Sequence, residues 1–330
     1  MWRLRKKPAQ RLNLPLNPAR LFWIFTLLSL LGFGSVSCSG DITTQEVTSS
    51  PYPVEITTET LAPVPTITPT HLITSTPKKP EKISPSPPST PKNMTCWNEG
   101  GRIETGNLKT PLLRQPLEYR IYLPPCYDQQ PDRRYPVLYL FHGQGFTDDQ
   151  WERLGVDETA NVLIGEKVLA PFIIVMPHDR FGNHSSMSKF GQVIVEVLIP
   201  WTDKTYRTLP ERDHRAVGGL SRGGGWAFYL GFSQWDLFGA IGAHSPALLN
   251  NDTNNMSSIL DQIPIELSPR IYIDTGDRDR PTIIESAHLL GDLLNKKGIP
   301  HEWYLFTGSH NEDYWRNHLE GYLRWYANNW

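Results

Sequence analysis

Three absences narrow the reading of this chain. No set of His, Cys, Asp or Glu side chains has metal-ligand spacing, so no resident metal or other cofactor is expected. No apolar run reaches the roughly 18 residues that a comfortable membrane span needs. No basic stripe runs along any segment, which argues against a nucleic-acid partner. Cysteine is scarce as well, with three residues in 330, at positions 38, 96 and 126.

The first 40 residues carry six cations (Arg3, Arg5, Lys6, Lys7, Arg11, Arg20) and no acid, followed by an apolar run from Leu21 to Val36. A basic segment before a short apolar one reads as an export signal. Cys38 follows at once, where bacterial lipoproteins are processed and diacylated, although Ser35 stands three before it instead of an aliphatic residue. Lipidation at Cys38 is the expectation; an uncleaved anchor or simple secretion are the alternatives. Without the six signal cations the chain has 26 basic and 34 acidic side chains, a net charge of −8. That balance leaves a neutral or weakly anionic substrate unobstructed.

Residues 41–93 are a different polymer: 29 of the 53 are Pro, Ser or Thr. Such a stretch cannot bury enough apolar surface to offset its ordering entropy and is expected to be an extended linker. At about 3.1 Å per residue it would hold a domain on the order of 100 Å from a membrane. The remaining 237 residues, 94–330, suffice for one large α/β domain. Cys96 and Cys126 form an even pair in an exported chain and are expected to bond. Two inert buried thiols are the alternative.

Strands are expected at Tyr119–Leu123, Val137–Phe141, Phe172–Met176, His214–Gly218, Gly239–Ala243, Arg270–Asp274 and Glu302–Phe306. Helices are expected at Val193–Tyr206, Gly224–Phe232, Ile283–Lys297 and Glu312–Tyr326. Their alternation predicts a doubly wound, mostly parallel sheet with helices on both faces. The aromatic residues of the last helix (Tyr314, Trp315, Tyr322, Tyr326) recur at helical spacing and read as core.

Gly219-Leu220-Ser221-Arg222-Gly223 stands where a strand turns into a helix, the setting of a nucleophile elbow that lifts a serine hydroxyl off the sheet edge. A serine nucleophile needs a base and an acid to orient the base, in the chain order serine, acid, histidine. Two later strands run into Thr275-Gly276-Asp277-Arg278-Asp279 and Thr307-Gly308-Ser309-His310, both at carboxyl ends of strands, where open parallel sheets place their sites. Asp274, Asp277 and Asp279 are equivalent candidates on this evidence. His310 is set apart from His142, His178, His184, His214, His244, His301 and His318 by its Gly-Ser-His turn between the last strand and last helix. Phe141-His142-Gly143-Gln144-Gly145 follows an early strand and offers backbone N–H groups to an oxyanion, with the N–H of Arg222 as second donor. His142 is expected to orient this loop.

These motifs, with Leu198-Ile199-Pro200-Trp201-Thr202-Asp203-Lys204-Thr205-Tyr206-Arg207-Thr208, Tyr122-Leu123-Pro124-Pro125 and Phe238-Gly239-Ala240-Ile241-Gly242-Ala243-His244-Ser245, resemble the esterase D and enterochelin-esterase-like group of α/β-hydrolases. That group includes feruloyl and acetyl-xylan esterases, S-formylglutathione hydrolase and mycolyltransferase relatives. The resemblance covers about residues 94–330. It implies Ser221 as nucleophile, His310 as base, Asp279 as acid through the turn Gly276-Asp277-Arg278-Asp279, and Gln144 as first oxyanion donor. Many members carry Met after the nucleophile; Arg222 departs from that and would make the pocket wall more polar. The loop Asp179–Met187 borders the expected pocket, and Phe181, His184 and Trp226 are the candidate substrate contacts. The implied activity is ester hydrolysis through an acyl-enzyme, on short acyl or hydroxycinnamoyl esters of small molecules or polysaccharides. Acyl transfer to a sugar hydroxyl, siderophore-ester hydrolysis and a non-catalytic binding module are the alternatives.

Overall fold

The computed structural model describes residues 96–180, 188–248 and 252–330. The segment expected to be an export signal, Cys38, the Pro/Ser/Thr-rich segment, Phe181 and His184 lie outside these residues. Eight strands form one sheet: β1 (Arg102–Leu108), β2 (Leu117–Leu123), β3 (Val137–Phe141), β4 (Ile173–Pro177), β5 (Arg215–Leu220), β6 (Ala240–His244), β7 (Arg270–Gly276) and β8 (Glu302–Phe306). Their spatial order is β1-β2-β4-β3-β5-β6-β7-β8. The β1–β2 and β2–β4 pairs are antiparallel, and every pair from β4 to β8 is parallel. This is the expected mostly parallel sheet, with an antiparallel edge added.

Strands β3, β4, β5 and β6 are buried at every position. Burial on both faces explains why they read as continuous apolar runs instead of alternating ones. Two apolar layers sandwich the sheet. On one face Val137, Tyr139 and Phe141 pack with α3 (Lys189–Val193), α5 (Arg222–Ser233), α6 (Asp252–Leu260) and α7 (Pro281–Lys297) through residues such as Phe190, Phe228, Met256 and Leu290. On the other, Leu138 and Leu140 pack with α1 (Gln150–Arg153), α2 (Val156–Gly165) and α8 (Glu312–Tyr326) through Trp151, Leu163, Leu319 and Tyr322.

Seven of the eight strands fall where the sequence predicts them. The unexpected one, β1, reads Arg-Ile-Glu-Thr-Gly-Asn-Leu and carries no apolar run. It is an edge strand whose pairing with β2, Arg102 opposite Leu123 through Leu108 opposite Leu117, supplies what its composition does not. Helix α2 is also unexpected, although Val156, Ala160, Leu163 and Ile164 are buried at helical spacing. The expected helix Val193–Tyr206 is the end of a longer path: α3, a wide turn over Ile194–Leu198, then α4 (Ile199–Thr205) with Pro200 in its first turn.

Cys96 and Cys126 are disulfide-bonded, joining residues 30 apart in sequence. Both are buried. The bond fastens the turn at Cys96–Asn98 to the loop after β2. A closed loop of this length removes about 3–4 kcal/mol of unfolded-state chain entropy. Cys126→Ala is therefore expected to lower unfolding free energy by roughly that amount in denaturant titration. Reductant should shift the wild-type midpoint and leave the variant unmoved.

Candidate active site

Strand β5 ends at Leu220 and α5 begins at Arg222, leaving Ser221 alone at the corner with φ 53° and ψ −120°. A non-glycine residue in that region is strained and persists only where its surroundings hold it. Here the Ser221 N–H donates to the His244 carbonyl at 2.8 Å, and its own carbonyl accepts from Ala247 N at 2.9 Å. The flanking glycines are required by contact: a Cβ on Gly219 would lie 2.3 Å from Gly223, and one on Gly223 would lie 2.2 Å from the Phe141 carbonyl.

His310 lies on the loop between β8 and α8, its Nε2 2.8 Å from Ser221 Oγ. Its Nδ1 is 2.8 Å from Asp279 Oδ1, at ion-pair distance. The Asp279 side chain is fully buried and that of His310 is 9% exposed. Burial alone would raise the Asp279 carboxyl; hydrogen bonding from His310 and Ser245, the His310 charge and the Arg280 N–H at 2.6 Å outweigh it and hold it below the ordinary value.

The three aspartates are now distinct. Asp279 faces His310. Asp277 accepts from the Gly308 N–H at 2.9 Å while Arg278 N donates to the Gly308 carbonyl at 2.8 Å, so it joins the two loops. Asp274 is buried below them, 2.6 Å from His244 Nδ1.

The loop after β3 runs beside the nucleophile: a Cβ on Gly143 would stand 3.5 Å from that of Ser221. The Gly143 N–H donates to Gln150 Oε1 at 2.8 Å, and Gln150, fully buried, donates onward to Glu312. Sequence reasoning missed Gln150; a buried amide seven residues beyond the His-Gly pair left no recognisable signal. His142 orients this loop as expected. Its Nδ1 lies 2.8 Å from the Gly143 carbonyl and its Nε2 accepts from the Asp179 N–H at 2.8 Å. Burial, opposed by the Gly143 carbonyl and aided by nearby His178 and Arg222, pushes His142 down to about 4.

Arg222 is buried and its guanidinium pairs with Asp179 Oδ2 at 2.5 Å. Burial lowers its pKa and Asp179 opposes that. Trp226 corrects an expectation. It is 1% exposed, packs edge-on against Phe190, and donates its indole N–H to Asp179 at 2.8 Å. A ring so covered offers no face for a substrate to stack on. Gln144 is exposed at the mouth of the loop. Among the described residues no cluster of His, Cys, Asp or Glu is arranged to hold a metal ion, and no helix is long and apolar enough to cross a membrane.

Fold and site define an α/β-hydrolase with serine, histidine and aspartate aligned at the carboxyl ends of its strands. The chain belongs to the Esterase family, described as "Putative esterase", which it matches over residues 110–326. It is 28% identical over 242 residues to an endo-1,4-beta-xylanase/feruloyl esterase of Xylanibacter ruminicola, covering 69% of this chain and 30% of that protein. An esterase of Mycobacterium tuberculosis is 30% identical over 244 residues, covering 57% of this chain and 52% of its own. The chain thus spans about a third to about half of the length of these curated relatives. Among solved structures, a ferulic acid esterase superposes with a TM-score of 0.62 at 24% identity, covering 69% of this chain and 98% of the other. The feruloyl esterase module of Clostridium thermocellum, complexed with sinapinate, gives 0.60 at 20%, covering 74% and 93%. These superpositions show the shared fold.

The His142 environment has a consequence for stability. Its folded pKa lies below the unfolded value near 6.5, so its contribution is fully present above about pH 6.5 and lost as pH falls toward 4. The loss amounts to about 3 kcal/mol. His142→Gln keeps an acceptor for Asp179 and does not titrate. Urea titrations at pH 7 and 4.5 are expected to show a shallower fall in stability for that variant than for wild type.

Proposed function

We propose that this chain hydrolyses carboxylic esters through an acyl-enzyme on Ser221. The observation that carries the reading is the continuous line from Ser221 Oγ to His310 Nε2 and from His310 Nδ1 to Asp279, each step 2.8 Å. His310 takes the serine proton as Oγ attacks the ester carbonyl, and Asp279 holds the imidazole tautomer and the imidazolium that forms. The backbone N–H groups of Gln144 and Arg222 receive the oxyanion, the second of them where a helix N-terminus favours negative charge. His310 then protonates the leaving alcohol, and water repeats the sequence to free the acid.

Short acyl and hydroxycinnamoyl esters, including those of polysaccharides, are the substrates we favour. Support comes from the feruloyl esterase named among the relatives and from the export signal, which separates the chain from cytosolic thioesters. In this reading residues 1–40 export the protein, Cys38 carries a lipid, and residues 41–93 tether a catalytic domain spanning 94–330 at the envelope. One acyl chain binds membranes marginally whereas several anchor stably. Cys38→Ala should accordingly move the protein from the membrane fraction to the medium or halt its processing; wild type found wholly in the medium would contradict lipidation.

Ser221→Ala is expected to lower kcat on methyl ferulate and p-nitrophenyl acetate by about 10⁴–10⁶-fold with its melting temperature preserved. Asp279→Asn should lose far more activity than Asp277→Asn, since only Asp279 faces the imidazole. A Ser221→Ala variant keeping a tenth of wild-type turnover would refute the mechanism.

A further inference from the structure

We propose that Asp179 is a positioning residue that holds both oxyanion donors in one geometry; the inference rests on the esterase reading above. Asp179 follows β4 and touches neither Ser221, His310 nor Asp279 among the contacts described. It contacts instead the supports of the two segments that carry the donors. Its backbone N–H donates to His142 Nε2 at 2.8 Å, and the other nitrogen of that ring lies 2.8 Å from the Gly143 carbonyl. One imidazole therefore spans from Asp179 to the peptide unit that bears the Gln144 N–H.

The carboxylate grips the other segment at two points. Oδ2 of Asp179 meets the Arg222 guanidinium at 2.5 Å and the Trp226 indole N–H at 2.8 Å. Arg222 and Trp226 are one turn apart at the start of α5, and Arg222 itself supplies the second oxyanion N–H. A charged pair this buried is firmly held, because separating its members would cost each desolvated charge its counter-charge. The indole bond fixes the same oxygen from a second direction.

The chemistry explains why such a brace matters. Oxyanion donors act only if placed 2.7–3.1 Å from where the negative oxygen will form, and a lost donor costs about 10²–10³-fold in kcat. The donors here come from different strand ends, after β3 and after β5, so two separate loops must hold one geometry. Asp179 has contacts that reach the supports of both. It also rationalises Arg222: a cation beside the nucleophile is accommodated because a buried carboxylate neutralises it.

Asp179→Asn removes the charge and keeps the shape. It is expected to lower kcat on p-nitrophenyl acetate about 10–100-fold, with KM within about twofold and the acidic limb of the pH–rate profile unmoved, since His310 and Asp279 are untouched. The Ki of a boronic acid, which forms a tetrahedral adduct on serine, should rise in proportion to the fall in kcat. His142→Asn, too short to reach the Asp179 N–H, should show the same pattern, and His142→Gln should restore most of the loss. Combining Asp179→Asn with His142→Asn should cost little more than the worse single change, because both loosen one geometry. Wild-type kcat in Asp179→Asn, a raised KM at unchanged kcat, or fully additive losses would each overturn the proposal. Should Asp179→Asn fail to fold, the His142→Asn and His142→Gln pair decides alone. Absence of esterase activity in the wild type would defeat the hydrolase reading itself, a distinct outcome from an active wild type with an unaffected Asp179→Asn.

Discussion

A single carboxylate without solvent contact, that of Asp274, governs how this site is assembled. It stands near the end of β7 and must find partners, since an isolated buried charge is prohibitively costly. Tyr314 donates to its Oδ2 at 2.6 Å and Tyr322 at 2.8 Å, while His244 Nδ1 lies 2.6 Å from Oδ1. His244 is closed on its other side by the Tyr326 hydroxyl at 2.9 Å and stacks on the Tyr322 ring. Burial, then the Asp274 charge, drives the pKa of all three tyrosines upward, so each stays a neutral hydroxyl at any physiological pH.

That cluster couples the parts of the catalytic line. The three tyrosines come from one face of α8, the helix that follows the His310 loop, and dock it on the sheet. His244 ends β6, and its carbonyl receives the Ser221 N–H that steadies the strained elbow. Asp274 sits five residues before Asp279 on the strand that leads to it. Nucleophile, base and acid thus hang from one buried polar knot. The tyrosine of the last turn reaches furthest: a Cβ on Gly218 or Gly242 would stand 1.9 or 1.8 Å from the Tyr326 hydroxyl. Two neighbouring strands lack side chains there so that the last helix can insert an oxygen between them.

Much of this was legible in the residues because the decisive signals are local. An elbow needs small flanking residues, a parallel strand buried on both faces needs an unbroken apolar run, and loops at strand ends need turn formers. Ser221, His310 and the limits of β3, β8 and α8 follow from such rules. What escaped is non-local. Nothing near Arg102 announces a strand, since β1 exists through its partner. Asp274 looked like one of three candidate acids and Tyr322 like core packing, yet a hydrogen bond joins them across 48 residues. Trp226 read as a pocket aromatic because the side on which α5 packs is decided by the sheet, not by its own sequence.

The contrast between Asp274 and Asp179 shows how two buried carboxylates can serve one site differently. Asp274 is met by tyrosine hydroxyls and an imidazole, a partnership that anchors secondary structure beneath the site. Asp179 is met by a guanidinium one residue from the nucleophile, so its charge is cancelled within the wall of the site. A methionine after the nucleophile, common in the resembled group, would take the guanidinium away from a carboxylate buried at position 179. Arg222 and Asp179 therefore make sense only together. Replacing either alone strands a charge beside the reacting atoms, whereas exchanging both could preserve the fold by a different packing. In that sense residues 179 and 222 behave as one structural unit, and the pocket wall they form is polar in composition but electrically closed.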